Sequence, residues 1–265
     1  MEIHNEPIFI SIEGNIGSGK STLLAQLKQH VLLNSEKYGQ TINTEPNIKT
    51  NNSIVVFIDE PLEIWEKIID IEKNRNILEL YYENKEKYAF VFQTCVITTQ
   101  KIIIENTLQQ NPFCKFIISE RSIDAALYVF AKMLKKNNII SQIEYEILIL
   151  MAKNNGYKKL DHLIYLNTTP EICMERIQKR NRDGENNIPL EYLIECERHY
   201  KDLINQRIIN GEKGDIKHKI YYFQGEDSWA LNQLNKSNMS VIIIDNNDLE
   251  TILPIIDLLV LNHRL

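Results

Sequence analysis

Residues 14–21, Gly-Asn-Ile-Gly-Ser-Gly-Lys-Ser, obey the spacing G-x-x-x-x-G-K-[ST], and that spacing carries a specific chemistry. Glycines let successive backbone N–H groups turn inward around phosphate oxygens with no Cβ in the way. Lys20 supplies a point charge for the outer phosphates, and the Ser21 hydroxyl is placed to ligate Mg²⁺. The chain holds only 9 glycines, yet Gly14, Gly17 and Gly19 fall within one short turn. Asn15, Ile16, Ser18 and Thr22 complete the segment expected to wrap a nucleotide. The pattern is specific only if a strand precedes it and a helix follows, and both conditions are met. Residues 8–13 read IFISIE, a buried strand, and the stretch after Ser21 places apolar residues at 23, 24, 27, 31 and 32, a helical spacing.

Two further segments end in acid. IVVFIDE closes on Asp59 and Glu60, and FIISER closes on Glu120 and Arg121. In an open parallel sheet, ligands bind beyond the carboxyl ends of the strands. A nucleotide hydrolase needs one acid for magnesium and a residue that orients water. A phosphotransferase needs a magnesium acid and a base for the acceptor hydroxyl, which suits acids at two strand ends. Further along, Arg176, Arg180 and Arg182 lie beside Gly184 and several asparagines, a fork of positive charge able to cover phosphates. The alternative is the solvated face of an amphipathic helix. Gln93 sits in an apolar stretch, where a buried amide must find partners, and a nucleobase edge can provide two.

These groups need a scaffold. Strands are expected at 8–13, 54–58, 113–119, 162–166 and 240–244. Helices are expected from 21 to 33, over most of 62–110, at 123–136 and 142–154, from Pro170, from about Pro189, and near 248–262. The alternation predicts a single α/β domain spanning residues 1–265, with a five-stranded parallel sheet covered by helices on both faces. Segments 34–53 and 205–239 fit this scheme poorly and read as insertions, the first with helix one overrunning into it. Formal net charge is −6, which argues against a nucleic-acid or membrane-surface binder. No apolar run is long enough to span a bilayer. The 4 cysteines form no CxxC pair, which fits a reducing cytoplasm better than a disulfide framework.

GNIGSGKST, DEPLEIW, FVFQT, ERSIDAALYVF and RIQKRNRDGENNIPLEYL, in that order, resemble the deoxynucleoside kinase family over most of residues 7–204. The resemblance implies a P-loop kinase fold with an arginine-rich lid at about 176–188. It also implies an enzyme of nucleotide salvage that uses ATP and Mg²⁺ to phosphorylate a deoxynucleoside at its 5′-hydroxyl. Glu60 would be the general base, Arg121 would hold the hydroxyl and the transferring phosphate, and Glu120 would help to place Mg²⁺. Tyr82 and Glu185 would grip the sugar 3′-hydroxyl, and Gln93 would pair with the base. Trp65, Phe92 and Phe130 would wall the base pocket, with Leu62, Leu78, Tyr81 and Val96 close by. Arg176, Arg180 and Arg182 would close over the ATP phosphates.

In relatives that prefer deoxycytidine or purines, an arginine and an aspartate pair beside the base. Gln100 and Ala126 stand at the matching positions here, which implies a neutral pocket, a pyrimidine preference and acceptance of thymidine. A homodimer is expected from the same resemblance, as is an adenine-side loop near Asn246 and Asn247. The competing readings are a nucleoside monophosphate kinase and a catalytically silent nucleotide-binding subunit. The carboxylate at Glu60 argues against the first, and the joint presence of Lys20, Glu60, Glu120 and Arg121 against the second.

Overall fold

Strand β1 (Ile8–Gly14) is buried along its length from Phe9 onward, as a strand covered on both faces must be. The computed structural model describes residues 6–34, 54–153, 158, 160–182, 184–185, 188–212, 220–223 and 241–245. From Gly14 the chain turns through the glycine loop into α1 (Lys20–Leu33), whose buried side chains Leu23, Leu24, Leu27 and Val31 form one stripe. Helix α1 ends at Leu33 and is capped at Asn34, so the expected overrun stops there. The rest of 34–53 lies outside the described residues, as does the expected helix near 248–262.

Strand β2 (Val55–Ile58) is followed by α2 (Leu62–Glu66) and a two-residue antiparallel ribbon, β3 (Ile69–Asp70) with β4 (Arg75–Asn76). Helix α3 (Ile77–Glu83) begins with a capping box. The Asn76 side chain accepts from the Glu79 N–H, and the Glu79 carboxylate accepts from the Asn76 N–H. Helix α4 (Lys85–Gln110) starts one residue later and is the longest helix described. Strand β5 (Phe116–Glu120) leads to Arg121 and then to helix α5, residues 123–136. The middle of α5, Ala126–Ala131, has the wider π-helical turn, a feature often found at functional sites. Helix α6 (Gln142–Lys153), strand β6 (His162–Asn167) and helix α7 (Pro170–Arg180) follow. Thr169 caps α7, Pro170 takes its first position, and Asn181 ends it in the left-handed conformation.

Helix α8 (Leu190–Glu212) precedes β7 (Ile220–Phe223) and β8 (Val241–Asp245). The main sheet runs β2-β5-β1-β6-β8-β7, and every pairing in it is parallel. Among the described residues it therefore has six strands, where five were expected. The sixth, β7, falls inside the segment 205–239 read as an insertion, and α8 also continues into that segment. Four residues reading IYYF between charged and polar stretches give no period to detect.

Phe9, Ile117, Leu163, Ile97 and Leu127 belong to the main core between the sheet, α4 and α5. A second cluster joins Ile16 of the glycine loop to Cys173 and Ile177 of α7 and to Leu193 and Cys196 of α8. This cluster fixes the loop against the helix that carries the arginines. Among the described residues, no helix is long and apolar enough to cross a membrane.

Candidate active site

The glycine loop closes tightly because its glycines leave room for nothing else. Gly17 has φ +79°, and a Cβ there would stand 2.5 Å from the carbonyl oxygen of Cys173. Asn15 turns its side chain away from the loop's mouth. Its Nδ2 donates to the Leu193 carbonyl at 2.8 Å and its Oδ1 accepts from the Ile16 N–H at 2.9 Å. Asn15 thus braces the loop from behind through its side chain. Ser18 lies behind the loop too, its carbonyl accepting from the Thr168 hydroxyl and from Arg176 Nη1, both at 3.2 Å.

In front of the loop opens a cavity of about 400 Å³, within the size range of small-molecule sites. Ile16, Gly17, Gly19, Lys20, Ser21 and Thr22 form its floor. Lys20 is buried, and its Nζ donates to the Asn15 carbonyl at 2.7 Å. Burial, with Arg121 nearby, lowers its pKa to about 8, while Glu120, Glu60 and Glu13 act in the opposite direction. Ser21 Oγ donates to Glu120 Oε1 at 2.9 Å. Burial and the neighbouring Glu60 push the Glu120 carboxyl up, against the pull of Lys20, Ser21 and Arg121.

A hydroxyl and a carboxylate already in contact fit a magnesium ion, which takes one or two protein oxygens and completes its shell with phosphates and water. Among the described residues no group of three or more His, Cys, Asp or Glu side chains is placed to hold a metal.

Strand-end geometry separates the two acids after β2. Asp59 is exposed and takes both its hydrogen bonds from Lys28 of α1, at 2.7 and 2.6 Å. Glu60 turns inward to the cavity, where its Oε1 accepts from Arg121 Nε at 2.8 Å. Arg121 has φ +65°, rare for a residue with a Cβ, and its N–H is tied to the Ile12 carbonyl at 3.0 Å. Its Nη1 donates to Tyr200 Oη at 2.8 Å and to the Gly14 carbonyl at 3.3 Å, and the Phe130 ring lies 4.9 Å from the guanidinium carbon.

The far end of the cavity is aromatic and amide-lined. Trp65 meets Phe92 edge-on at 5.4 Å between ring centroids, Phe92 stacks on Tyr81 at 4.8 Å, and Trp65 Nε1 donates to Thr99 Oγ1 at 3.0 Å. Leu62, Leu78, Tyr82 and Val96 fill the remaining wall. Gln93 and Gln100, two turns apart on α4, both line the cavity. The Oε1 atom of each is buried without a hydrogen-bond partner, so each has acceptor capacity for a ligand. Ala126 and Phe130, both within the π-helical turn, line it as well.

The arginine segment folds over the loop. Arg180 Nη2 and Arg182 Nη1 donate to the two oxygens of buried Glu185, at 2.5 and 3.1 Å. All three, with Arg176, line the cavity. Glu185 is thus an anchor for two of the arginines, a pairing its sequence neighbourhood does not announce.

Every residue expected around a nucleotide or nucleoside lines this cavity except Gly14, Asn15 and Ser18. Asn246 and Asn247 lie outside the described residues. Four residues not anticipated also belong to the site or its support. Ser122 and Tyr192 line the cavity, and Glu13 and Tyr200 stand behind Arg121. A glutamate at the end of the mostly apolar IFISIE is a signal for the third. The tyrosines carried none, because aromatic residues at helical spacing fit a core equally well.

A phosphate loop between strand and helix, acids at the ends of β5 beside it and of β2 one strand further out in a parallel sheet, and arginines packed against the loop together define a P-loop kinase. A model of the deoxynucleoside kinase family matches residues 10–253. The chain is 36% identical over 203 residues to deoxycytidine kinase 2 of Gallus gallus, covering 72% of this chain and 71% of that protein. It is 34% identical over 204 residues to deoxycytidine kinase of Homo sapiens, covering 72% of each chain. Over 203 residues it is 32% identical to deoxycytidine kinase of Rattus norvegicus, again covering 72% of each. The chain belongs to the deoxynucleoside kinase family and is an ATP-dependent kinase of nucleotide salvage.

Proposed function

We propose that this kinase transfers the γ-phosphoryl group of ATP to the 5′-hydroxyl of a deoxynucleoside, prefers pyrimidines and accepts thymidine. The observation that carries the reading is the Glu60–Arg121 pair, set between the phosphate loop and the amide-lined end of the cavity. A phosphorylated acceptor would meet the Glu60 carboxylate as repulsion, whereas a neutral nucleoside offers it a hydroxyl to deprotonate.

In this mechanism the loop N–H groups and Lys20 hold the ATP phosphates, and Arg176, Arg180 and Arg182 cover them. Glu60 accepts the hydroxyl proton, and Arg121 holds the attacking oxygen and the transferring group. The transition state of phosphoryl transfer is loose, so positioning and charge stabilisation count for more than strong basicity. Ser21 and Glu120 would hold Mg²⁺, which when bound neutralises charge on the phosphates. Tyr82 and Glu185 grip the sugar. Burial, with Tyr81 and Glu185 adding, raises the Tyr82 pKa well above its ordinary value, so its hydroxyl stays a donor.

Gln93 reads the pyrimidine edge, between Trp65, Phe92 and Phe130. Its amide serves thymine in one orientation and cytosine in the other. With Gln100 and Ala126 beside it, no fixed charge competes with the thymine methyl group. The chain works as a single domain and a cytoplasmic homodimer on this reading. Exposed Ile143, Ile147 and Leu150, at i, i+4 and i+7 on α6, support a partner helix there. The test is incubation with Mg-ATP and either thymidine or thymidine monophosphate. Phosphorylation of thymidine alone supports the proposal, and phosphorylation of the monophosphate alone replaces it with a nucleotide kinase.

A further inference from the structure

Glu13 is completely buried one residue before the phosphate loop, and nothing in the transfer step so far uses it. Its two oxygens are both engaged. Oε1 accepts from Ser122 Oγ at 2.6 Å, and Oε2 accepts from Tyr200 Oη at 3.1 Å. Tyr200 Oη in turn accepts from Arg121 Nη1 at 2.8 Å, and Arg121 Nε donates to Glu60 Oε1 at 2.8 Å. One hydrogen-bonded chain therefore runs from the end of β1, through α8, to the residues that follow β5 and β2.

The direction of this chain matters. A tyrosine hydroxyl has a single proton and two lone pairs. Tyr200 gives its proton to Glu13, so its lone pairs are left for Arg121. Without an acceptor at Glu13 the hydroxyl rotor is released, and nothing keeps its oxygen turned to the guanidinium. The ring itself is held separately. It meets Phe130 edge-on at 6.2 Å and lies 5.4 Å from the Tyr165 ring. Ser122 caps α5 through the same oxygen that donates to Glu13, accepting from the Ala125 N–H at 3.2 Å. The carboxylate thus also steadies the turn on which Arg121 sits at its unusual φ.

We propose that Glu13 is a positioning residue for phosphoryl transfer, acting through Tyr200 to fix the Arg121 guanidinium that holds Glu60. The proposal rests on the reading of Glu60 and Arg121 as the pair that meets the acceptor hydroxyl. Burial pushes the Glu13 carboxyl up, while Ser122, Arg121 and Tyr200 among its neighbours favour its ionised form. The guanidinium has three anchors in all, and loss of one leaves it bound but less ordered. The cost should therefore fall on turnover and leave ground-state binding nearly untouched.

The test uses the full chain, the deoxynucleoside that the wild type phosphorylates fastest, and thermal unfolding measured in parallel. Tyr200→Phe keeps the ring and removes only the hydroxyl, and Glu13→Gln keeps the shape and removes the charge. Each is expected to lower kcat by about tenfold or more, with KM for nucleoside and for ATP within about twofold of wild type. The double variant should be no slower than the worse single one, because both cut the same chain. Tyr165→Phe removes a neighbouring buried hydroxyl outside the chain and should leave kcat unchanged.

A folded Tyr200→Phe enzyme with wild-type kcat overturns the proposal, as do multiplicative losses in the double variant or a rise in KM at constant kcat. If Glu13→Gln does not fold, Tyr200→Phe alone decides. A wild type that turns over no deoxynucleoside overturns the reading of the site and this proposal with it. An active wild type with unaffected variants overturns this proposal only.

Discussion

Arg121 Nε donates to Glu60 Oε1 at 2.8 Å, joining the ends of two strands that are neighbours in the sheet and sixty-one residues apart in sequence. The guanidinium occupies one oxygen of the carboxylate, which leaves Oε2 for an acceptor hydroxyl. Both side chains are mostly buried, at 10% and 16% exposure, so the pair is weakly screened by solvent.

Glu60→Gln should therefore keep nucleoside binding and lose turnover. Removal of a general base lowers rate by roughly 10²–10⁴. Steady-state kinetics with the nucleoside in excess checks this, and wild-type kcat in the variant would remove Glu60 from the base role.

The Lys20 pKa of about 8 gives nucleotide binding a pH dependence. ATP phosphates favour the protonated ammonium, so below that value binding needs no proton uptake and KM for ATP stays level. Above it the free enzyme has lost the proton, and each further pH unit should raise KM by up to about tenfold. Lys20→Arg stays charged throughout and should give a level profile, at a weaker baseline because a planar fork replaces a point charge. A wild-type KM for ATP that stays flat well above pH 8 would contradict this.

The ease with which these residues are read from sequence differs for physical reasons. The phosphate loop is legible because only glycine can adopt its backbone angles. Gly17 shows it, with a neighbouring carbonyl where a side chain would begin. Glu60 and Arg121 are legible because acids and arginine at the ends of apolar strands have no packing role. The aromatic wall is different. Trp65 and Phe92 are as buried as any core residue, and periodicity alone cannot tell a pocket from a core. Only the resemblance to a family picks them out. Tyr200 escapes both routes, since its role depends on α8 crossing behind β1. Strand β7 escapes because four residues are too few to show a period. The pairing of Glu185 with two arginines depends on how the segment after α7 folds back, which spacing does not encode.

Discrimination against ribonucleosides should follow from the width of the aromatic end. Tyr81, Phe92 and Trp65 are locked together by ring contacts and Trp65 by its bond to Thr99, so the wall has little freedom to retreat from a 2′-hydroxyl. The expected result is a kcat/KM for deoxyuridine above that for uridine by about tenfold or more, equivalent to about 1.4 kcal/mol. Equal values for the two would show that the wall does not sense the 2′ position.

Ala126 is 3% exposed and lines the same cavity as Gln93 and Gln100. Ala126→Asp places a carboxylate there with no cation opposite it. Its burial is costly, and it occupies the space assigned to the thymine methyl group. kcat/KM for thymidine should fall by about tenfold or more. Ala126→Ser, which adds one hydroxyl and no charge, should lose less. If Ala126→Asp leaves thymidine turnover unchanged, this wall does not contact the base.

The most direct measurement of the account is kcat/KM, with Mg-ATP, for thymidine, deoxycytidine, deoxyadenosine and deoxyguanosine under one set of conditions. The account predicts that both pyrimidines are phosphorylated at the 5′-hydroxyl and that thymidine lies within about tenfold of deoxycytidine. Deoxyguanosine or deoxyadenosine used more efficiently than thymidine would contradict it.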